Sequence, residues 1–242
     1  MKVTGPLFKW FGSKWQASKH YPHPQGDEVI EPFAGGAGYS LRHSHLQVTI
    51  AESDPHVGPL WKWLISEATE SDILTIPVGL PVGTDIRTLG LTLGQSLLLK
   101  SWQRTNSTGN CWTVSPWGDK PGQWTLNTRA RVAAEFHAVR HWKFVSDGLT
   151  LLKGDADRSA TWFIDPPYEN NYKYSGWNVD YSTLAGLVKG LQGHVIVCEA
   201  TCPKTGKFPS WLPFEDFRST VTSRRKSTQN HHSRELIYTK SR

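Results

Sequence analysis

Trp162-Phe163-Ile164 is an apolar run that ends in Asp165-Pro166-Pro167-Tyr168. Two successive prolines remove two N–H donors and fix φ, so the run should stop in a rigid turn. That turn presents a carboxylate, a backbone carbonyl and an aromatic face together. In α/β sheets ligands bind at the C-terminal ends of the strands. These three groups answer one chemical problem, the amino nitrogen of adenine, whose lone pair is delocalised into the ring. The Asp165 carboxylate and the Pro166 carbonyl can accept its two hydrogens and localise the pair, while Tyr168 stacks on the extruded base.

A second constellation is Glu31-Pro32-Phe33-Ala34-Gly35-Gly36-Ala37-Gly38. A strand that runs through glycines into a helix lets backbone approach a ligand closely, with helix N–H groups facing an anionic group. A dinucleotide fingerprint would need a third small residue, and Gly36-Ala37-Gly38-Tyr39-Ser40-Leu41 lacks it, which disfavours NAD. Glu52 closes the next strand, where an acid can accept hydrogen bonds from both hydroxyls of a ribose; Asp54 is the alternative acceptor.

The elements that must position these residues read as alternating β and α units. Strands are expected at Glu28–Glu31, Gln47–Ala51, Leu149–Leu152, Trp162–Asp165 and His194–Cys198, with paired strands at Phe217–Thr222 and Glu235–Thr239. Helices are expected at Tyr39–His45, Leu60–Ala68, Ile86–Lys100, Thr183–Leu191 and Thr128–Trp142, the last capped by Asn127. Pro77, Gly79, Pro81 and Gly83 mark a boundary. The expected architecture is an α/β sheet, residues 1–76 and 148–242, interrupted by a mainly helical insertion at 77–147.

The chain has 242 residues and a net charge of +6. From Arg218 to Arg242 seven bases (Arg218, Arg224, Arg225, Lys226, Arg234, Lys240, Arg242) face one acid, Glu235, which suits a polyanionic partner. Twelve tryptophans, some beside bases as in Lys62-Trp63 and Trp142-Lys143, suit base stacking, although each alone reads as a packing residue. Cys111, Cys198 and Cys202 make no disulfide framework, and with no apolar run of spanning length the expected setting is the cytoplasm. His231-His232 with the two later cysteines lacks zinc-site spacing, so no metal is expected.

Phe8-Lys9-Trp10-Phe11-Gly12-Ser13-Lys14, Glu31 to Gly38 and Asp165 to Tyr168, in this order, resemble the Dam-type (D12 class, α group) DNA adenine methyltransferases. The resemblance covers nearly the whole catalytic frame. It implies a Rossmann-like sheet, S-adenosylmethionine as cofactor, double-stranded DNA as partner, and transfer of a methyl group to N6 of a flipped-out adenine. It implies that Trp10, Lys14, Phe33, Gly35, Gly36 and Gly38 line the cofactor site, that Glu52 holds its ribose and Asp155 its adenine, and that Asp165 bridges cofactor and base. Ser233 to Tyr238 resembles the family's closing strand. Two positions depart from the pattern: Ser13 replaces a second glycine, and Glu52 stands where the family more often has Asp.

Within the insertion, Arg104, Asn106 and Asn110 are the expected base-reading residues, and Arg224, Arg225 and Lys226 the expected phosphate contacts. The target sequence does not follow from these residues. A monomer is expected, serving a restriction–modification system or a phage. Two other readings stand beside this one. The same turn could hold cytosine N4, an RNA base or a protein amide, and a DNA-binding protein that has lost catalysis could keep the same frame.

Overall fold

The computed structural model describes residues 2–103, 112–116, 123–169, 179–201, 207, 209–212, 218–224 and 234–240. Arg104, Asn106, Asn110, Arg225 and Lys226 lie outside them, as does the side chain of Arg224. The chain divides into two compact units.

One unit comprises Ala17–Ala34, Leu46–Ala51 and Asp147–Arg242 and holds the sheet. Its strands are β1 (Glu28–Glu31), β2 (Gln47–Ala51), β4 (Ala160–Ile164), β5 (Gly193–Ala200), β6 (Arg218–Arg224) and β7 (Arg234–Lys240). They run in the order β2-β1-β4-β5-β7-β6. The first four are parallel, and β7 joins β5 antiparallel with β6 outside it. This order, with its reversal at β1, is that of a doubly wound α/β sheet. Every residue of β4 is buried, as are His194 to Glu199 of β5, which is why these strands read as continuous apolar runs rather than alternating ones. Gly193 opens β5 at φ +84°, where an added Cβ would lie 2.4 Å from the Ala160 carbonyl oxygen, so only glycine allows that strand pairing.

Helix α6 (Gly148–Gly154) stands where a strand was expected at Leu149–Leu152. The Asp147 carboxylate accepts from the backbone N–H of Leu149 and Thr150, and this N-cap commits the short apolar run to a helix. Periodicity alone does not separate the two for a run of four residues. Helix α7 (Tyr181–Gly190) is capped by Asp180 and buries Leu184 and Val188.

The other unit comprises Met1–Gln16, Gly35–His45 and Glu52–Ser146. It contains α1 (Gly38–Arg42), α2 (Val57–Lys62), α3 (Glu70–Leu74), α4 (Leu93–Trp102), α5 (Leu126–Glu135) and strand β3 (Lys143–Val145). Residues 77–147 share this unit, up to Ser146, with residues 52–76. Arg129 donates to the Ile76 carbonyl across position 76/77, and the compact units do not divide there.

All five expected helices differ in their ends, Tyr39–His45 becoming Gly38–Arg42 and Thr183–Leu191 becoming Tyr181–Gly190, and in the other three the cause is visible. Ile86–Lys100 is a 3-10 turn at Ile86–Thr88, a break at Gly90 (φ +66°), then α4, which a Thr92/Gln95 capping box starts. Leu60–Ala68 begins earlier, as α2, and widens into a π turn at Trp63–Glu67. Thr128–Trp142 begins at Leu126, because Thr125 rather than Asn127 supplies the cap, and ends at Glu135. Strand β3 was not expected. Tryptophans make the core here: Trp15, Trp61, Trp63, Trp102, Trp124 and Trp142 are all buried, so Trp63 and Trp142 are not stacking platforms despite their basic neighbours.

Candidate active site

The glycine turn belongs to the mainly helical unit, and its geometry follows from what is packed on it. Gly35 has φ +48° and Ala37, not a glycine, has φ +44°, so the chain makes two left-handed steps within three residues. A Cβ on Gly35 would sit 2.9 Å from the Trp10 indole, and one on Gly36 3.0 Å from Ser13 Oγ. On Gly38 it would sit 2.2 Å from the backbone nitrogen of Trp15 and 2.7 Å from the Lys14 carbonyl carbon. The segment Trp10–Trp15 is therefore seated directly on the turn, backbone against backbone at Gly38. The glycines serve this contact, whatever else they approach. Arg42, at the end of α1, donates to the Trp15 carbonyl and stacks on its indole at 4.3 Å.

Two further groups hold the turn. Trp61 Nε1 donates to the Gly35 carbonyl at 2.7 Å, and its ring meets Phe8 edge-on at 4.9 Å and Trp142 at 5.6 Å. Glu52, 7% exposed, accepts the Gly35 N–H on Oε2 at 2.7 Å and the Asp54 N–H on Oε1 at 2.8 Å. Burial pushes the Glu52 pKa upward, opposed by these N–H donors. Each oxygen accepts a backbone N–H, and the Ser53 N–H also stabilises the carboxylate, which keeps part of its acceptor capacity. Asp54 is committed differently: its Oδ1 takes the N–H groups of His56 and Val57 at the start of α2. Lys14 is buried and its Nζ donates to the Gly12 carbonyl at 3.0 Å. Ser13 Oγ is buried beside Gly36 with no hydrogen-bond partner among the described residues.

The Asp-Pro-Pro-Tyr turn belongs to the sheet unit. Parallel β1 and β4 pair with Ile30 opposite Trp162. Their C-terminal ends thus leave the same edge of the sheet, Phe33 after β1 and Asp165 after β4. Asp165, Pro167 and Tyr168 are half-buried and Pro166 is buried. Tyr181 Oη donates to the Pro167 carbonyl at 2.6 Å, whereas the Pro166 carbonyl accepts no hydrogen bond from a described residue.

Asp155 sits elsewhere. The N-terminus of α6 abuts the end of β1, since a Cβ on Gly148 would lie 2.0 Å from the Pro32 carbonyl oxygen. Asp155 caps the opposite end of α6 and pairs with Arg158 at 2.8 Å; Arg158 also binds Glu28 at the start of β1. That places Asp155 toward the N-terminal end of β1, away from the edge carrying Phe33 and Asp165. A second acid toward that edge, besides Asp165, is Asp147 at the N-terminus of α6, which the sequence did not single out. Helix α1 is only five residues long, so its dipole adds little for an anion. Among the described residues no cluster could hold a metal.

No protein-family model matches the sequence, and no curated protein is significantly similar to it. Among solved structures, a conserved hypothetical protein of Streptococcus pyogenes aligns over 88% of this chain and 86% of its own, at 11% identity and a TM-score of 0.37. TrmN from Thermus thermophilus aligns over 89% of this chain and 44% of its own, at 14% identity and a TM-score of 0.39, so this chain spans less than half of TrmN. A methyltransferase from Geobacter sulfurreducens aligns over 90% and 72%, at 10% identity and a TM-score of 0.38. Likeness this slight carries no argument about activity.

Proposed function

We propose that the protein transfers a methyl group from S-adenosylmethionine to N6 of an adenine flipped out of double-stranded DNA. The observation that carries the reading is the pair of acceptors after β4. The Pro167 carbonyl is taken by Tyr181, while the adjacent Pro166 carbonyl is left to accept, next to the half-buried Asp165 carboxylate. Two acceptors a residue apart suit the two hydrogens of one planar amino group.

The residues of the glycine turn fit the cofactor. Glu52 can turn its remaining acceptor capacity to the ribose hydroxyls, and the Ser13 hydroxyl beside Gly36, without a partner among the described residues, can bond a polar group of the ligand. Trp10, Lys14, Phe33, Gly35, Gly36 and Gly38 are the remaining residues assigned to hold it. For its adenine, Asp147 replaces Asp155 in this proposal, since Asp147 stands at the ligand edge. When bound, the cofactor supplies an electrophilic methyl group on a sulfonium. The chain's part is to orient the base: Asp165 and Pro166 accept the amino hydrogens and keep the lone pair on nitrogen, and Tyr168 stacks on the ring. Arg224, Arg225 and Lys226 are proposed to meet phosphates, and Arg104, Asn106 and Asn110 base edges, in a cytoplasmic monomer.

The test is methyl transfer from labelled cofactor to adenine-containing duplex. Asp165→Ala should lower kcat by about 10²–10³, the cost of one preorganised acceptor, and Asp165→Asn should leave a slow enzyme. Tyr168→Phe should keep substantial activity. Near-normal turnover by Asp165→Ala, or label appearing on cytosine alone, would overturn the proposal.

A further inference from the structure

Glu199 lies near the end of β5 inside a run of apolar residues, with no exposure, and the chemistry proposed above does not use it. Its Oε2 accepts the backbone N–H of Glu169, the residue that follows Tyr168, at 3.3 Å, and Trp211 Nε1 at 3.0 Å. Its Oε1 accepts the Ala200 N–H at 2.9 Å. Trp211 packs against Tyr181 with ring centroids 5.9 Å apart, and Tyr181 donates to the Pro167 carbonyl at 2.6 Å. The Glu169 carboxylate takes the N–H of Ser210 at 2.6 Å and its hydroxyl. One side of the turn is thus bound at Pro167 and the other at Glu169, by groups that meet at Trp211.

We infer that Glu199, Tyr181 and Trp211 form a clamp that fixes the turn from Asp165 to Tyr168, and that Glu199 and Tyr181 are positioning residues for the methyl transfer proposed above, on which this inference rests. The logic is one of donors. Three N–H groups converge on the Glu199 carboxyl. Ionised, it is all acceptor and binds them by charge-assisted hydrogen bonds; protonated, it carries a donor of its own and holds them more weakly. Tyr181 also selects between the two proline carbonyls. By engaging that of Pro167 it fixes the peptide planes, so that the Pro166 oxygen is the one left for a base.

Burial pushes the Glu199 pKa up to about 7, against the pull of its N–H donors, and the Glu169 carboxylate adds to the rise. Around it the turn contributes Glu169, α7 the Tyr181 phenol, and residues 209–212 the non-titrating Trp211 indole. The clamp should therefore tighten as pH rises through neutrality.

Two measurements on the full chain test this. In nitrogen–proton NMR, the Trp211 indole and Glu169 amide resonances should move together with a midpoint near 7 in the wild type, and should not titrate in Glu199→Gln. A flat wild-type response, or an unchanged one in Glu199→Gln, overturns the clamp whatever the protein's activity. In the methyl-transfer assay, Tyr181→Phe should lower kcat about tenfold, the size of one hydrogen bond, with the KM for cofactor unchanged. Glu199→Gln mimics the protonated acid and should hold kcat at the wild type's low-pH level at every pH. An effect on KM alone, or none, refutes the positioning role. A wild type that titrates as expected but methylates no adenine sinks the functional reading and leaves the clamp standing.

Discussion

Residues 35–38 and residues 165–169 each follow a buried parallel strand, yet they are held in place by opposite means. At the glycine turn hydrogen bonds from Trp61 and to Glu52 meet Gly35, but the dominant restraint is steric: the backbone of Lys14 and Trp15 lies against Gly38 at a distance no side chain permits, and Ala37 is carried into the left-handed region. At the Asp-Pro-Pro-Tyr turn the prolines set φ, and hydrogen bonds from Tyr181 and to Glu199 do the rest. Steric fit does not respond to pH, whereas a buried carboxyl does. The glycine turn keeps its steric frame even though the buried Glu52 carboxyl is one of its partners, whereas the Asp-Pro-Pro-Tyr turn, held by hydrogen bonds, can be loosened by a single proton.

The largest effect should come from breaking the steric side. In Gly38→Ala the new methyl meets backbone rather than a flexible side-chain end, so either the Lys14–Trp15 segment or the start of α1 must move. A loss on the order of 4 kcal/mol or more is expected, the size reserved for a core that cannot relax. Gly186→Ala is the control. Gly186 lies inside α7 with nothing within 4 Å of its added Cβ, and should gain about 0.5–1 kcal/mol from helix propensity. Denaturant midpoints give both values. Equal, small changes in the two variants would mean that the glycine turn is not sterically locked.

How far each turn was legible in the sequence follows from the same distinction. The strands β1, β2, β4 and β5 were readable because parallel, doubly covered strands need unbroken apolar runs, and Asp-Pro-Pro-Tyr and the glycines announce where those runs stop. Helix α6 was not, because Leu149-Thr150-Leu151-Leu152 satisfies either period and only the Asp147 cap decides. β3 was missed because three residues show no alternation, and Asp155 came from the family resemblance, which says nothing of the Arg158 and Glu28 pairing that the fold gives it. The partners of the turns were hidden in a different way. Nothing local links Trp15 to Gly38 or Trp211 to Glu199. One signal was there to be weighed: a glutamate in His194-Val195-Ile196-Val197-Cys198-Glu199 is a charge inside a buried strand, and such a group must have partners.

The proton-sensitive side yields an intermediate effect. Glu199 has its ordinary value of 4.5 in the unfolded chain and about 7 in the fold. Below about 4.5 the acid is protonated in both states and the stability linked to its proton is fully present. As pH rises from there through 7 the folded state must give its proton to solvent and keep a negative charge in a buried site, and the stability is lost. The difference amounts to about 3 kcal/mol at most. Urea unfolding of wild type and Glu199→Gln across this window should show the wild type losing ground to the variant by that order as pH rises. Parallel pH dependences would mean that Glu199 titrates normally. The same ionisation that tightens the turn thus costs stability, a trade expected of a group kept for its effect on a site.

The smallest effect is the one whose sign says most about the cradle. Ser13 Oγ is buried beside Gly36 and has no hydrogen-bond partner among the described residues, so the hydroxyl costs free energy in the unliganded protein. Ser13→Ala removes the cost and leaves the Cβ that Gly36 already accommodates. The free variant should unfold about 1 kcal/mol later than the wild type. With saturating S-adenosylhomocysteine the order should reverse, because a hydroxyl that bonds the ligand returns its cost on binding, and linkage converts tighter binding into stability. Paired thermal scans with and without ligand decide it. If Ser13→Ala is destabilised when free, the hydroxyl already has a partner and is structural. A free variant that is stabilised but gains as much from ligand as the wild type places the ligand away from Ser13, and the glycine turn would then be a packing device between two backbone segments and nothing more.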